Sequence, residues 1–227
     1  MNQSGKNHTD VLRSLATVGW LSEQPVEFQK RIAMVGRWTT VPRGGVLYSV
    51  GDVPNALYGL GEGLLDVSIP IGGEEEVMIY RAKAGFWVGD SALLAETARS
   101  ITVSAAADAQ VFRVPLGAVR RLLAEVPEYW VCFIRLNHAN ATLAVRILAE
   151  VLSLTPRARF ARMLLRLAGP DGWVRATQEE LGRMAGMSRA AFRRAFTSLI
   201  DSGVVRTEYG GVRVIVHPAL ERASEEV

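Results

Sequence analysis

The residues best suited to chemistry lie between positions 177 and 199, which read Thr-Gln-Glu-Glu-Leu-Gly-Arg-Met-Ala-Gly-Met-Ser-Arg-Ala-Ala-Phe-Arg-Arg-Ala-Phe-Thr-Ser-Leu. Phe192, Phe196 and Leu199 share one face of a short helix. Arg189, Ala190, Arg193 and Arg194 fall outside that face, in its first turns. An arginine so placed can donate two parallel hydrogen bonds to O6 and N7 of guanine, the commonest specific contact in a DNA major groove. Such a reader needs a rigid support, and the neighbouring residues supply one. Thr177 and Glu180 make a capping box that opens a preceding helix. Leu181, Met184 and Ala185 give that helix a buried face. Gly186 stands where the chain must reverse, and Ser188 caps the second helix. Two short helices joined by a glycine turn form a helix-turn-helix, whose second helix presents its first turns to base edges. Isolated arginines on a helix usually mark a solvated face. Here two caps, a glycine turn and outward arginines coincide at one spacing, and nucleic-acid binding is the expected role. Downstream, Val204–Glu208 and Val212–Val216 flank Gly210-Gly211 and read as a β-hairpin, the wing. Arg206 and Arg213 are its expected phosphate contacts.

The charge distribution agrees. The chain has 227 residues, 26 of them basic and 23 acidic, for a net charge of +3. Residues 156–227 hold 12 arginines, no lysine and 8 acidic residues, a net of +4, whereas residues 1–155 carry a net of −1. A basic surplus in the last third suits phosphate binding, and a surplus this small suits a solvated surface equally well. Hydrophobic residues make up 49% of the chain, enough for a real core, yet no apolar run approaches the roughly 18 residues of a membrane span. The polar N-terminus has no apolar leader pattern. The single cysteine, Cys132, precludes an internal disulfide and suggests a reducing compartment, so a cytoplasmic protein is expected. An enzyme such as a β-barrel metalloprotein would need clustered histidines and carboxylates within residues 40–115, and that stretch has no histidine. The three histidines, His8, His138 and His217, are scattered, and no metal or prosthetic group is expected.

Three elements must carry the reader. From Thr39 to Pro115 glycines and prolines punctuate short β-type runs: Val46–Tyr48, Leu65–Ile69, Val77–Tyr80, Ile101–Val103 and Gln110–Val114. Short strands at regular spacing indicate a sandwich or barrel. Leu12, Leu15, Phe28, Ile32 and Val35 give the preceding segment helical spacing, as a cap. Leu116–Glu125 reads as a short helix stopped by Pro127. Glu128–Ser153 then runs without glycine or proline. Phe133, Leu136, Leu143, Ile147 and Leu154, completed by Asn140 and Glu150, make a heptad-like seam. A dimer seam and a helix lying on its own core both fit, and the dimer is favoured. Thr155 and Pro156 start a new helix. The expected fold is α+β, divided into residues 1–126, 127–154 and 155–227.

Thr-x-x-Glu-Leu-Gly-x-x-x-Gly-x-Ser-Arg at 177–189 closely resembles the DNA-binding signature of the bacterial catabolite activator, or cyclic AMP receptor protein, family. The resemblance covers nearly the whole chain. It implies a cyclic-nucleotide-binding β-roll, a long dimerisation helix and a winged helix-turn-helix. It implies a homodimer reading a palindromic operator in double-stranded DNA and working with RNA polymerase. Arg189 and Arg194 match guanine-reading positions; Thr177, Glu179 and Ser188 match phosphate contacts. The chain departs from the pattern at Ala190, where a glutamate is usual, and at Glu179, where a neutral glutamine suits phosphate better. Gly85–Leu94 with Arg99-Ser100 resembles the family's phosphate-binding cassette. That resemblance makes Gly89, Asp90, Ser91, Arg99 and Ser100 candidate ligand residues, with cAMP or cGMP as candidate effectors. Gly89 would let backbone approach the ligand, Asp90 would accept from a ribose hydroxyl, and Arg99 would pair with phosphate. Asp90 is one methylene shorter than the family's glutamate. Thr142 or Asn140 stands in for the family's base-reading residues on the long helix. A regulator of the same family with no small-molecule effector, its cassette reduced to an Asp90–Arg99 ion pair, is the alternative.

Overall fold

The computed structural model describes residues 14–72, 75–169 and 171–226. Leu12 and His8 lie outside the described residues. The chain divides into two compact units between Thr142 and Leu143.

The first unit is built on one antiparallel sheet. A 3-10 turn (Trp20–Glu23) and helix α1 (Val26–Val35) lead into β1 (Arg37–Val41), β2 (Val46–Tyr48), β3 (Ala56–Gly72), β4 (Glu75–Ala82) and β5 (Trp87–Val88). Helix α2 (Asp90–Ala95), strand β6 (Thr102–Pro115) and helix α3 (Leu116–Glu125) follow. The strand order is β1-β6-β3-β4, with β2 on β6 and β5 on β3. Every sheet contact therefore passes through β3 or β6. The two runs expected at 101–103 and 110–114 are parts of one strand, because Ala105 and Ala109 continue the inward alternation between them. Gly59, Gly61 and Gly63 do not break the chain either. They lie inside β3, whose pairing with β6 shifts register between Leu60 and Leu65. Such bulges let a 17-residue strand bend around its own core. Gly59 is required for a separate reason, since a Cβ there would meet the Trp87 indole at 2.5 Å.

Two apolar clusters fill this unit. One lies between sheet strands and includes Tyr48, Tyr58, Leu60, Val67, Val103 and Val111. The other joins the helical cap to the sheet through Leu15, Phe28, Ile32, Trp87, Phe112, Phe133 and Leu136. The Trp20 indole N–H donates to the Cys132 carbonyl at 2.7 Å, which fastens the cap to helix α4 (Trp130–Ser153).

Helix α4 takes the start of the expected dimer seam into its own unit, while Leu143 and Ile147 further along are half-buried. Phe133 and Leu136 are fully buried in their own unit, and Asn140 bonds to the cassette. Among the apolar side chains left exposed are Val131, Ile134, Val145, Leu148 and Leu152. With His138 and Ala141 they keep a three-four spacing on the opposite face of the helix. The sequence carries two such stripes, and periodicity alone does not say which one the β-roll covers.

The second unit contains the last turns of α4, α5 (Pro156–Leu167), β7 (Trp173–Val174), α6 (Gln178–Met184), α7 (Arg189–Asp201), β8 (Val205–Glu208), β9 (Gly211–Val214) and α8 (His217–Ala223). Thr155 caps α5 by accepting from the Ala158 amide, with Pro156 at the first helical position. Phe160 packs edge-on against Phe192 and Phe196, with centroids 5.2 and 5.6 Å away. This aromatic wedge fixes α7 on α5. Glu150, at the end of α4, receives Arg166 at 2.5 Å and stands 3.8 Å from Arg162.

Candidate nucleic-acid interface and effector pocket

The helix-turn-helix forms as the local chemistry dictates. The Thr177 hydroxyl accepts from the Glu180 amide, and the Glu180 carboxylate accepts from the Thr177 amide at 2.7 Å. Gly186 takes φ +56 in the turn, a conformation costly for a residue with a Cβ. Ser188 caps α7 by accepting from the Ala191 amide at 3.3 Å. Phe192, Ala195, Phe196 and Leu199 are buried, which turns Arg189, Ala190, Arg193 and Arg194 to the surface. Thr177, Glu179 and Ser188 are exposed. The Thr177 and Ser188 oxygens are used as caps, and each hydroxyl proton stays free to donate to a phosphate.

Some arginines of this unit are paired and others, Arg146, Arg175, Arg183 and Arg222 among them, have no ion pair among the described residues. Arg157, Arg162, Arg166, Arg206 and Arg213 each face a carboxylate within ion-pair distance. Arg189, Arg193 and Arg194 make no ion pair among the described residues. Their charge is therefore available for an external anion. The wing arginines have an internal partner. Arg206 and Arg213 both bond to Glu208, at 2.8 and 3.0 Å, and these bonds hold the Glu208 carboxyl below the usual carboxylate range. Arg213 also lies over the Trp173 ring, 4.9 Å from its centroid. The two wing arginines neutralise an internal carboxylate and stiffen the hairpin, which leaves less charge for phosphates.

In the first unit, β5 and the start of α2 bring the cassette residues together. Arg99 and Asp90 are each only 3% exposed. They do not form an ion pair with each other. Arg99 donates to the Gly89 carbonyl at 2.8 Å and to the Ala56 carbonyl at 2.6 Å. Its guanidinium lies 4.2 Å from the centroid of the Tyr48 ring, and its Nε is buried without a hydrogen-bond partner among the described residues. Asp90 accepts from Asn140 at 2.8 Å and from Asn137 at 3.1 Å, both on α4. Burial pushes the Asp90 carboxyl above its ordinary value, while the asparagine amides and the backbone amides of Asp90 and Ser91 oppose the rise. Gly89 adopts φ +98, and a Cβ there would meet Arg99 Nη1 at 2.6 Å. Its missing side chain therefore makes room for Arg99 itself, whereas the sequence suggested room for a ligand. Ser91 and Ser100 are exposed beside these groups, and Thr142 is half-buried on α4 with no hydrogen bond to Asp90 or Arg99. Asn137 was missed by sequence reasoning. Its signal was a second amide three residues before Asn140, on the same inward face of a helix. Tyr48 was missed too, read only as part of a strand.

Residues 38–126 match the cyclic nucleotide-binding domain family, and residues 158–223 match the Crp-like helix-turn-helix domain family. The chain belongs to the Crp family of transcriptional regulators. Its curated relatives agree. It is 24% identical over 205 residues to the transcriptional regulatory protein btr of Bordetella pertussis, covering 86% of this chain and 84% of that one. It is 26% identical over 192 residues to the cAMP-activated global transcriptional regulator CRP of Pasteurella multocida, covering 78% and 88%. The structure of FixK2 from Bradyrhizobium japonicum shares the fold, with a TM-score of 0.74 at 12% identity over 85% of this chain and 99% of that one. Like other Crp-family chains it joins a cyclic nucleotide-binding domain to a DNA-binding helix-turn-helix. Among the described residues no helix is long and apolar enough to cross a membrane, and no group of His, Cys, Asp or Glu is placed to hold a metal ion.

Proposed function

We propose that this Crp-family regulator works as a cytoplasmic homodimer, reads a palindromic operator through α7, and is controlled by cAMP or cGMP bound in its β-roll. The observation that carries the DNA reading is the set of three exposed arginines on the first turns of α7, turned outward by the buried face of that helix and in no ion pair among the described residues. Arg189 and Arg194 read guanines, Arg193 adds a contact beside them, and Thr177, Glu179 and Ser188 sit against the backbone. Glu179 repels phosphate and weakens its own position. Ala190 offers only a methyl group, whose natural partner is the thymine methyl. Residues 1–126 form the sensor, 127–154 the dimerisation helix and 155–227 the DNA-binding domain. The exposed stripe on α4 supports the dimer, because an apolar face of that length is a poor solvent surface. RNA polymerase is the partner such a regulator addresses.

The effector reading is supported by Arg99, a buried cation without a carboxylate partner among the described residues. Isolated buried charges are costly, and an anionic ligand offsets that cost. The second reading, a regulator controlled by abundance with no effector, is favoured by one observation: Asn137 and Asn140 already satisfy the Asp90 carboxylate. Titration calorimetry with cAMP and cGMP separates the two. Heat of binding at micromolar to millimolar nucleotide supports control by effector; its absence leaves regulation by abundance. Randomised-site selection tests the DNA reading, with a two-fold symmetric site as the expected product. Recovery of no preferred site removes it.

A further inference from the structure

We propose that Tyr48 is a second anion-binding group of the β-roll, donating its hydroxyl to the same phosphate-class group that Arg99 receives. The inference rests on the effector reading above. Tyr48 ends β2 and is only 6% exposed. Its hydroxyl is buried with no hydrogen-bond partner among the described residues. Its ring lies against the Arg99 guanidinium at 4.2 Å, and the Arg99 Nε is likewise buried and unpartnered. Two orphaned polar atoms thus belong to side chains in direct contact. Both are donors, and buried donors are rarely left unmatched in a folded chain. A neutral ligand could satisfy them, but Arg99 also carries a charge with no carboxylate against it among the described residues. An anion with several acceptor oxygens answers both needs at once.

The surrounding groups narrow the ligand further. Burial pushes the Tyr48 phenol far above its ordinary value, so it stays a neutral donor over the working pH range. A neutral donor suits this place, because a second cation beside Arg99 would be repelled. Asp90 lies close enough to influence Tyr48 electrostatically, and its carboxylate accepts hydrogen bonds. A ligand that brings hydroxyls toward Asp90 and a phosphate toward Arg99 and Tyr48 matches both ends, which is the chemistry of a sugar phosphate ester. The Tyr48 ring meets the Tyr58 ring at a tilt, with centroids 5.9 Å apart, and the Tyr58 hydroxyl donates to Asn55 at 3.1 Å. Tyr58 is therefore satisfied internally, and the orphan hydroxyl belongs to Tyr48 alone of the pair.

The rival explanation is that Tyr48 only packs its ring on Arg99. Tyr48→Phe separates the two, because it keeps the ring and deletes the hydroxyl. The dissociation constant of the nucleotide that wild type binds, cAMP or cGMP, is expected to rise about tenfold or more, the worth of a hydrogen bond to a charged group. The melting temperature of the ligand-free variant is expected to stay level or rise, since an unmatched buried hydroxyl has been removed. Unchanged affinity overturns the proposal. Weaker binding accompanied by a lower ligand-free melting temperature also overturns it, because Tyr48 is then a structural prop. If wild type binds neither nucleotide, the effector reading fails, and inorganic phosphate becomes the probe. A phosphate-induced rise in melting temperature that Tyr48→Phe loses upholds the anion site by itself; no rise in wild type sinks both.

Discussion

Single residues in this protein act through what they leave unpaired or make room for. Gly89 is the clearest case. It combines a left-handed backbone with a close approach by Arg99, so Gly89→Ala must strain the backbone and displace the guanidinium together. A cost of at least about 1–2 kcal/mol is expected from the backbone conformation alone. Urea unfolding of the variant checks it, and a midpoint equal to wild type would show that Arg99 moves freely. Arg99→Ala behaves differently from what the sequence suggests. Read from the motif alone, it removes a ligand contact and leaves the fold untouched. In the structure it also strips the donor from two buried carbonyls, Gly89 and Ala56, at about 1–3 kcal/mol. Loss of nucleotide binding by Arg99→Ala therefore counts only if the variant is shown to be folded at the assay temperature. At this scale the sequence was legible wherever a residue acts on its near neighbours. The Thr177–Glu180 box, the Ser188 cap and Gly186 depend on contacts within a few positions, and each formed as expected. The Arg99–Gly89–Ala56 and Asp90–Asn137–Asn140 contacts join residues 10 to 50 positions apart, and no local rule reaches that far.

The elements show where periodicity stops being informative. A strand pattern marks which residues alternate, but not how far one strand continues. Ala105 and Ala109 carry too little hydrophobic signal to announce that β6 is a single strand, although both are buried. Helix α4 poses the sharper case, since two apolar stripes run along it. The β-roll takes the one with Phe133 and Leu136, because those side chains fill the cluster around Trp20, Phe28 and Trp87. Ile134, Ala141, Val145 and Leu148 remain on the face left over. Replacing Val145 and Leu148 together by Glu is therefore expected to dissociate the dimer without unfolding either unit. Leu136→Ala is expected to cost about 2–5 kcal/mol of stability and leave association unchanged in the folded fraction. Light scattering and thermal unfolding on the two variants give opposite patterns if the faces are assigned correctly. Should Leu136→Ala dissociate the dimer and the double glutamate leave it intact, the seam is the inner face after all. The wing is a third element whose pairing is not legible from its pattern: Arg206 and Arg213, the expected phosphate contacts, both pair with Glu208, which lies between them in sequence.

At the level of the whole molecule the proposed control of DNA binding by a nucleotide is a coupling free energy between two sites, whatever path joins them. If cAMP or cGMP raises operator affinity by some factor, operator DNA raises nucleotide affinity by the same factor. The nucleotide can do so only through a different affinity for two states of the protein. Asp90 offers a place where that difference can arise. Its carboxylate binds two amides of α4, and a sugar hydroxyl that enters must share or displace them. Helix α4 is also the element that crosses from the first compact unit into the second. Asn137→Ala removes the weaker of the two amide contacts and leaves Asn140 in place. It is expected to weaken the linkage: the ratio of nucleotide affinities with and without operator should move toward one, while Arg189 and Arg194 continue to specify the same guanines. Arg189→Ala should do the reverse. It should flatten preference at one base pair of each half-site, at about 1–3 kcal/mol of discrimination, and leave nucleotide binding to free protein untouched. Calorimetry of wild type and both variants, each with and without a selected operator, measures all the ratios in one design. A full linkage ratio in Asn137→Ala would take Asp90 out of the communication between the sites. An Arg189→Ala protein that keeps its sequence preference and loses only overall affinity would make Arg189 a phosphate contact and place α7 differently in the groove.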